Sequence, residues 1–190
     1  MISTGFRVLM KQSSSISIIV AIGEGNRVIG SGGKIPWHIP DDMRWFRQHT
    51  LGHPVIMGKN TFFSIGKALP HRTNIVLSDT PWDDAPEEIV VAFSVEEAIK
   101  KAKEAVGGED IFVIGGGEVY KQALVFADRL YVTLVEGLYA GDVFFPEYES
   151  LFTRVVSREY CEMDGYRYSF LIVEKATCFL ENVQSKKYAS

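Results

Sequence analysis

Two adjacent carboxylates, Asp41 and Asp42, open a predicted helix behind the segment Gly32-Gly33-Lys34-Ile35-Pro36-Trp37-His38-Ile39-Pro40. A Gly pair makes a mobile loop, two prolines bracket a tryptophan, and the helix then begins with acid. One of the two aspartates is explained by N-capping, because its oxygen accepts from the free N–H groups of the first turn. Two exceed what a cap needs, although helix starts favour acids in general. Asp42 and Phe46 lie four apart with Met43 nearby, so Asp42 points toward the apolar side of its helix. A carboxylate aimed into an apolar pocket needs a partner, and the N–H groups of a ligand would supply one. On spacing alone, capping is the commoner explanation.

Two further segments could hold phosphate. In Ile114-Gly115-Gly116-Gly117-Glu118-Val119-Tyr120 an apolar run meets three glycines and then a helix. Without Cβ atoms the backbone can approach an anion, and a helix start offers N–H groups. The spacing is not the GxGxxG fingerprint and no Walker lysine follows, so a tight strand-to-helix turn explains the glycines about as well. Met57-Gly58-Lys59-Asn60-Thr61-Phe62 repeats the arrangement with a lysine, as a phosphate contact or as a surface turn. Two such places on one sheet suit a ligand with several phosphates, such as a dinucleotide.

The elements that would position these residues read as an α/β fold. Ile18-Ile19-Val20-Ala21-Ile22 is a strand buried on both faces, and similar apolar runs occupy 55–57, 75–77, 89–92 and 111–114. Between them lie helical patterns. Over 95–106 the residues Val95, Ala98, Ile99, Ala102 and Val106 keep helical spacing, Ser94 with Glu97 forms a capping box, and Gly107-Gly108 ends the run. A second helix spans about 118–127, with Tyr120, Ala123, Leu124 and Ala127 on one face. The alternation predicts an open, mostly parallel sheet with flanking helices. Strands over 129–135, 152–160 and 166–174, with Asp164-Gly165 as a turn between the last two, predict an antiparallel C-terminal hairpin.

Composition closes off other classes. The chain has 190 residues, 46% hydrophobic and 23% charged, as a globular domain has. The termini, 1–14 and 175–190, hold five of the 20 basic residues and one of the 24 acidic, leaving 15 and 23 between them, a net of −8. That body has no electrostatic footprint for nucleic acid. No apolar run approaches the roughly 18 residues that cross a bilayer, so no membrane span is expected. Cys161 and Cys178 match neither a metal pair nor a redox motif, and no metal site is expected; they suit a reducing, cytoplasmic compartment. The expected organisation is an N-terminal extension over 1–14, one domain over 15–175 and a C-terminal tail over 176–190.

Taken in order from about residue 17 to 174, the chain resembles dihydrofolate reductases of the short bacterial type. The resemblance rests on Arg27-Val28-Ile29-Gly30, Pro36-Trp37 with Pro40 and Asp42, Pro54-Val55-Ile56-Met57-Gly58 with Thr61, and Leu69-Pro70 with Arg72 and Asn74. It continues through Gly115-Gly116-Gly117 with Val119-Tyr120, then Thr133, Gly141-Asp142 and Phe145-Pro146. It implies a central sheet of about eight strands with four flanking helices, and hydride transfer from NADPH to C6 of dihydrofolate with protonation at N5. By the same resemblance the chain is an oxidoreductase of one-carbon metabolism and an antifolate target, with trimethoprim or methotrexate as ligands and a monomeric state.

The resemblance also implies roles by position. Asp42 is the carboxylate of the pterin pocket, Thr133 supports it, and Trp37 holds a water beside it. Burial raises the Asp42 pKa and a cation-like pterin lowers it, leaving the net direction open. Ile19, Val20, Met43, Phe46, Ile65 and Leu69 wall the folate site, joined by Ile114 and Tyr120, and Arg72 pairs with the tail carboxylate. Gly115, Gly116 and Gly117 approach the pyrophosphate, with a cis peptide between two glycines, flanked by Glu118 and Val119. Gly58, Lys59, Asn60, Thr61, Leu77 and Ser78 take the adenosine side, and Ala21 and Ile29 the nicotinamide. Gly30 to Trp37 is the loop that closes over the site. Two residues depart from the pattern: Asp79 beside the expected 2′-phosphate position, and Glu118 where a basic residue sometimes sits. One extra residue lengthens the turn at Gly23–Asn26. A ribosylamino-pyrimidine reductase of the same fold lacks the Trp37–Asp42 and Arg72 pattern, and a non-enzymatic relative would not need Asp42.

Overall fold

The computed structural model describes residues 14–176, which form ten strands and four helices. In chain order these are β1 (Ser15–Gly23), β2 (Val28–Gly30), α1 (Pro40–Thr50), β3 (Val55–Gly58), α2 (Lys59–Ile65), β4 (Asn74–Leu77) and β5 (Ile89–Ala92). Then follow α3 (Val95–Glu104), β6 (Asp110–Gly115), α4 (Gly117–Ala123), β7 (Arg129–Val135), β8 (Val143–Phe144), β9 (Arg154–Met163) and β10 (Tyr166–Glu174). The 1–13 segment, Cys178 and nearly all of the 176–190 tail lie outside the described residues.

Eight strands make one sheet in the order β5-β4-β3-β6-β1-β7-β10-β9. The pairings from β5 through to β7 are parallel, and only β7–β10 and β10–β9 are antiparallel. The sheet and its four helices are those the resemblance implies. Alternation along each strand divides the core between two faces. Ile18, Val20 and Ile22 of β1, with Ile56 and Ile75, pack against Val95, Ala98 and Ala102 of α3 and Tyr120 and Ala123 of α4. Ile19, Val55, Met57 and Val76 face the other way, toward Phe46 of α1 and Phe62 of α2. Burial on both faces is why these strands read as unbroken apolar runs.

β1 sits between β6 and β7, while the chain leaves it for β3, works outward to β5 and returns through β6. A parallel sheet that reverses its winding in this way opens a crevice at the carboxyl ends of the strands flanking the reversal.

Some predicted boundaries move. The 95–106 helix stops at Glu104, Ala105 is extended, and Val106 is 87% exposed rather than on the apolar face. Ser94 Oγ accepts from the Glu97 N–H as expected, but the Glu97 carboxylate reaches Phe93 N–H, one residue before the cap. The helix placed at 118–127 ends at Ala123, and Leu124 and Ala127 are buried from a turn. The strand expected from 152 starts at Arg154 and runs on to Met163. β5 lies at a sheet edge, so Val90 is 37% exposed despite its apolar run. The Asp164-Gly165 turn is present, both residues at positive φ as a tight hairpin requires. β2 and β8 pair into a separate two-stranded sheet, too short for any periodicity to announce.

Candidate active site

A cavity of about 800 Å³ opens in the crevice, large enough for an extended organic ligand. Its floor is the carboxyl half of β1 (Ile19, Val20, Ala21) and the end of β6 (Ile114, Gly115). One wall is α1 with Asp42, Met43 and Phe46, and the next is α2 with Lys59, Asn60, Thr61 and Ile65. Leu77 and Ser78 of the β4 exit, with Gly116, Gly117, Glu118, Val119 and Tyr120 around the start of α4, complete the lining. Ile29, Gly58 and Leu69 also line it. Met43 is 54% exposed because it faces this space rather than protein. A smaller recess of about 320 Å³ shares Asp42 and Met43 and adds Trp37, His38 and Ile39.

Asp42 is set by its helix start. Pro40 fills the first helical position, where its missing N–H costs nothing. The N-cap is Ile39, and no side chain caps the helix, so neither aspartate has the capping role that spacing suggested. They diverge instead. Asp41 accepts from Tyr168 OH at 2.8 Å and pairs with Arg44, on the side away from the cavity. Asp42 faces the cavity and accepts from the hydroxyl of Thr133 through Oδ1 at 2.6 Å. Thr133 is fully buried on β7, in register with Ala21 of β1. Burial pushes the Asp42 carboxyl above its ordinary value, and the Thr133 hydrogen bond offsets part of that rise.

Trp37 is 6% exposed and packs edge-on to Tyr139 at 4.8 Å. Its Nε1–H is buried and has no acceptor among the described residues. Tyr120 donates its hydroxyl to the carbonyl of Ile19 at 2.9 Å, and burial first, then the Asp42 charge, holds the phenol far above the ordinary tyrosine range. It is a neutral donor that ties α4 to the cavity floor.

The three glycines turn tightly at the end of β6, with a cis peptide between Gly115 and Gly116 and Gly115 at φ 130°. A Cβ at Gly116 would lie 3.1 Å from Thr61 Oγ1, and one at Gly117 would lie 3.0 Å from Val143 Cγ1 and 3.2 Å from the Phe144 carbonyl. The turn therefore presents bare backbone to the middle of the cavity. Lys59 Nζ sits 4.1 Å above the Trp82 ring. Ser78 is buried, and its hydroxyl donates to the Thr80 carbonyl at 2.8 Å.

Arg72 does not line the cavity. Its Nε donates to the Thr50 carbonyl at 3.1 Å, and its guanidinium lies 5.7 Å from the ring centre of Phe46, at the rim. Burial, then the charge of Arg47, lowers its pKa. Residues that sequence reasoning did not assign also line the space: Ser64, Thr80, Phe93, Ser94, Gln122 and Val143. They come from loops, from β8 and from positions within α2 and α4, and no spacing rule singles them out. Gly33, Lys34 and Ile35 hang over the Asp42 end, inside the loop predicted to close there. Among the described residues, no group of three or more His, Cys, Asp or Glu is placed to hold a metal ion, and no helix is long and apolar enough to cross a membrane.

Comparison with known proteins gives one consistent likeness. The family model described as dihydrofolate reductase matches residues 15–175. The dihydrofolate reductase of Bacillus subtilis (strain 168) is 39% identical over 163 residues, covering 84% of this chain and 94% of that protein. The Haemophilus influenzae enzyme of the same name is 46% identical over 133 residues, covering 70% and 79%. Among solved structures, dihydrofolate reductase from Enterococcus faecalis complexed with NADP(H) and RAB-propyl superposes with a TM-score of 0.77 at 32% identity, covering 85% of this chain and 96% of that one.

Proposed function

The chain belongs to the dihydrofolate reductase family, and from that premise we propose how its own residues divide the work. The reaction is reduction of 7,8-dihydrofolate to 5,6,7,8-tetrahydrofolate with NADPH, an oxidoreductase step of one-carbon metabolism. NADPH when bound supplies the hydride, while the protein supplies position, electrostatics and exclusion of water. The carrying observation is the Asp42–Thr133 pair, a desolvated carboxylate facing the cavity and held by one hydroxyl.

Asp42 accepts hydrogen bonds from the pterin ring and its amino group, and burial makes its carboxyl easier to protonate than an exposed aspartate. Thr133 fixes the carboxylate's orientation. The unpartnered Trp37 Nε1–H anchors a water beside the same end. Ile19, Val20, Phe46, Ile65 and Leu69 wall the pterin and its ring extension, and Met43 covers it. Arg72, behind Phe46, meets the carboxylate tail at the rim, where a planar fork suits a carboxylate.

The cavity also fits the nucleotide. Its lining, from Ala21 and Ile29 past the glycines to Leu77 and Ser78, suits a dinucleotide laid across the carboxyl ends of the strands. The bare backbone of Gly115–Gly117 takes the pyrophosphate, and Lys59, Asn60 and Thr61 flank the adenosine side. Antifolates such as trimethoprim and methotrexate occupy the Asp42 end. The functional unit is residues 15–175, acting as a monomer in the cytoplasm.

The test is loss of reduced-nicotinamide absorbance on adding dihydrofolate, with and without trimethoprim. Rapid oxidation that trimethoprim blocks is the expected result. Tight antifolate binding with no oxidation would make the chain a binding relative and overturn the assigned chemistry.

A further inference from the structure

The adenosine end of the cavity carries a charge pattern of its own, and its reading rests on the nucleotide placement proposed above. With the nicotinamide at the Asp42 end and the pyrophosphate at the glycine turn, the adenosine ribose falls at the β4 exit, among Ser78, Asp79, Thr80, Phe93 and Ser94. NADPH and NADH differ only in the phosphate on the 2′-hydroxyl of that ribose. The groups lining this end therefore decide between them.

Three observations bear on a 2′-phosphate there. Among the described residues, the basic side chains lining the cavity are Lys34, in the loop over the Asp42 end, and Lys59. Lys59 is shared, since its ammonium rests 4.1 Å above the Trp82 ring, a cation–π contact that reaching for a phosphate must weaken. The hydroxyl proton of Ser78 is spent on the Thr80 carbonyl at 2.8 Å, so Ser78 turns lone pairs rather than a donor toward a phosphate. The third group, Asp79, is a carboxylate lining the same end. It repels a phosphate dianion, yet it can accept a hydrogen bond from a free ribose 2′-hydroxyl, as acidic residues do in NAD sites. Glu118, bonded by Gln122 at 3.0 Å, adds a second carboxylate on the pyrophosphate side, common to both nucleotides.

We propose that Asp79 sets the nucleotide preference of this chain, holding NADPH and NADH close in affinity so that both serve as hydride donors. Glu118 lowers affinity for both without choosing between them.

Calorimetric titration of NADPH and NADH into the folate-free protein, its Asp79→Ser variant and its Glu118→Gln variant tests this without relying on turnover. In the unaltered chain the dissociation constants should lie within about thirtyfold of each other. Asp79→Ser should widen the ratio roughly tenfold, through tighter NADPH and weaker NADH. Glu118→Gln should tighten both and leave the ratio in place. A preference for NADPH above about thirtyfold in the unaltered chain, or a ratio that Asp79→Ser does not move, would overturn the assignment. If neither nucleotide binds while trimethoprim does, the nucleotide placement itself fails and the proposal with it.

Discussion

The hydroxyl of Thr133 donates to Asp42 Oδ1 at 2.6 Å across 91 residues of sequence, joining the first turn of α1 to the middle of β7. Thr133 has no exposed surface, and the carboxylate it touches is held above its ordinary pKa mainly by burial. The pair thus carries a stability cost and a chemical benefit in one contact, and the two separate by pH.

Replacing Asp42 with Asn should keep the fold and cut turnover roughly a hundredfold or more at neutral pH, with partial recovery in acid, where solvent protonates the substrate. The stability effect has the opposite sign. Because the folded carboxyl binds its proton more tightly than the unfolded one, its favourable contribution is full below about pH 3.8 and is lost as pH rises through the raised folded value. Once ionised, the desolvated group is a net cost that Asn does not carry. Asp42→Asn should therefore melt higher than the parent at pH 7–8, by roughly 2–4 °C for each kcal/mol recovered, with the difference vanishing near pH 3.5. Melting curves over that range check it, and a variant less stable at pH 8 than at pH 4 relative to the parent would refute it.

Thr133→Val removes the one hydroxyl that favours the ionised form of Asp42 while nearly preserving volume. The carboxyl pKa should climb further, so the pH at which kcat/KM begins to fall should move upward. The plateau rate should also drop, since an unheld carboxylate samples more orientations. A pH–rate profile separates this from a structural role, which would lower the rate at every pH without moving the midpoint.

Gly117→Ala places a methyl 3.0 Å from Val143 Cγ1 and 3.2 Å from the Phe144 carbonyl. The second neighbour is backbone and cannot rotate away, so the turn must shift from the path of the nucleotide. NADPH should bind roughly tenfold more weakly. Trimethoprim affinity measured without nucleotide should hold, because Asp42 and Phe46 lie on another wall. Equal weakening of both ligands would mean that the whole cavity had collapsed.

The sheet was more legible in the sequence than the site it positions. Doubly buried strands declare themselves, because residues such as Ile18 to Ile22 must be apolar on both faces. The α3 face was legible through Ser94 and its helical spacing, but its end was not. Val106 keeps the period while the chain has already left the helix at Ala105, since periodicity cannot see a backbone turn. Spacing to Phe46 pointed Asp42 toward the apolar side, but that Asp41 is taken by Tyr168 and Arg44 rather than by capping was not legible in the sequence. The hydroxyl of Thr133 was invisible to spacing because its partner is remote in sequence, and only the family pattern named it. Arg72 was assigned by the same pattern, yet it stands behind Phe46 with its Nε bonded to Thr50, a placement set by loop geometry. Ser64, Phe93 and Gln122 line the cavity from positions that no motif marks.

Of these three, Ser64 also holds a loop. Its hydroxyl donates to the Gly33 carbonyl at 2.6 Å, tying α2 to the segment over the Asp42 end. On its other side the loop is held by the Gly32 N–H donating to the Asp142 carboxylate, at 3.3 Å to each oxygen. The loop closes on itself only through the reciprocal Ser31–Lys34 backbone pair. An exposed hydroxyl of this kind contributes little to global stability, so Ser64→Ala should unfold within about 0.5 kcal/mol of the parent. Its effect should be local. The Ser31 and Lys34 amides should exchange with solvent several-fold faster, and the hydride-transfer rate should fall by a similar factor as the loop spends less time closed. Ser64→Thr, which keeps the hydroxyl, should restore both. Faster exchange with an unchanged rate would show that the loop moves without gating the chemistry, and unchanged exchange would show that Asp142 alone holds it.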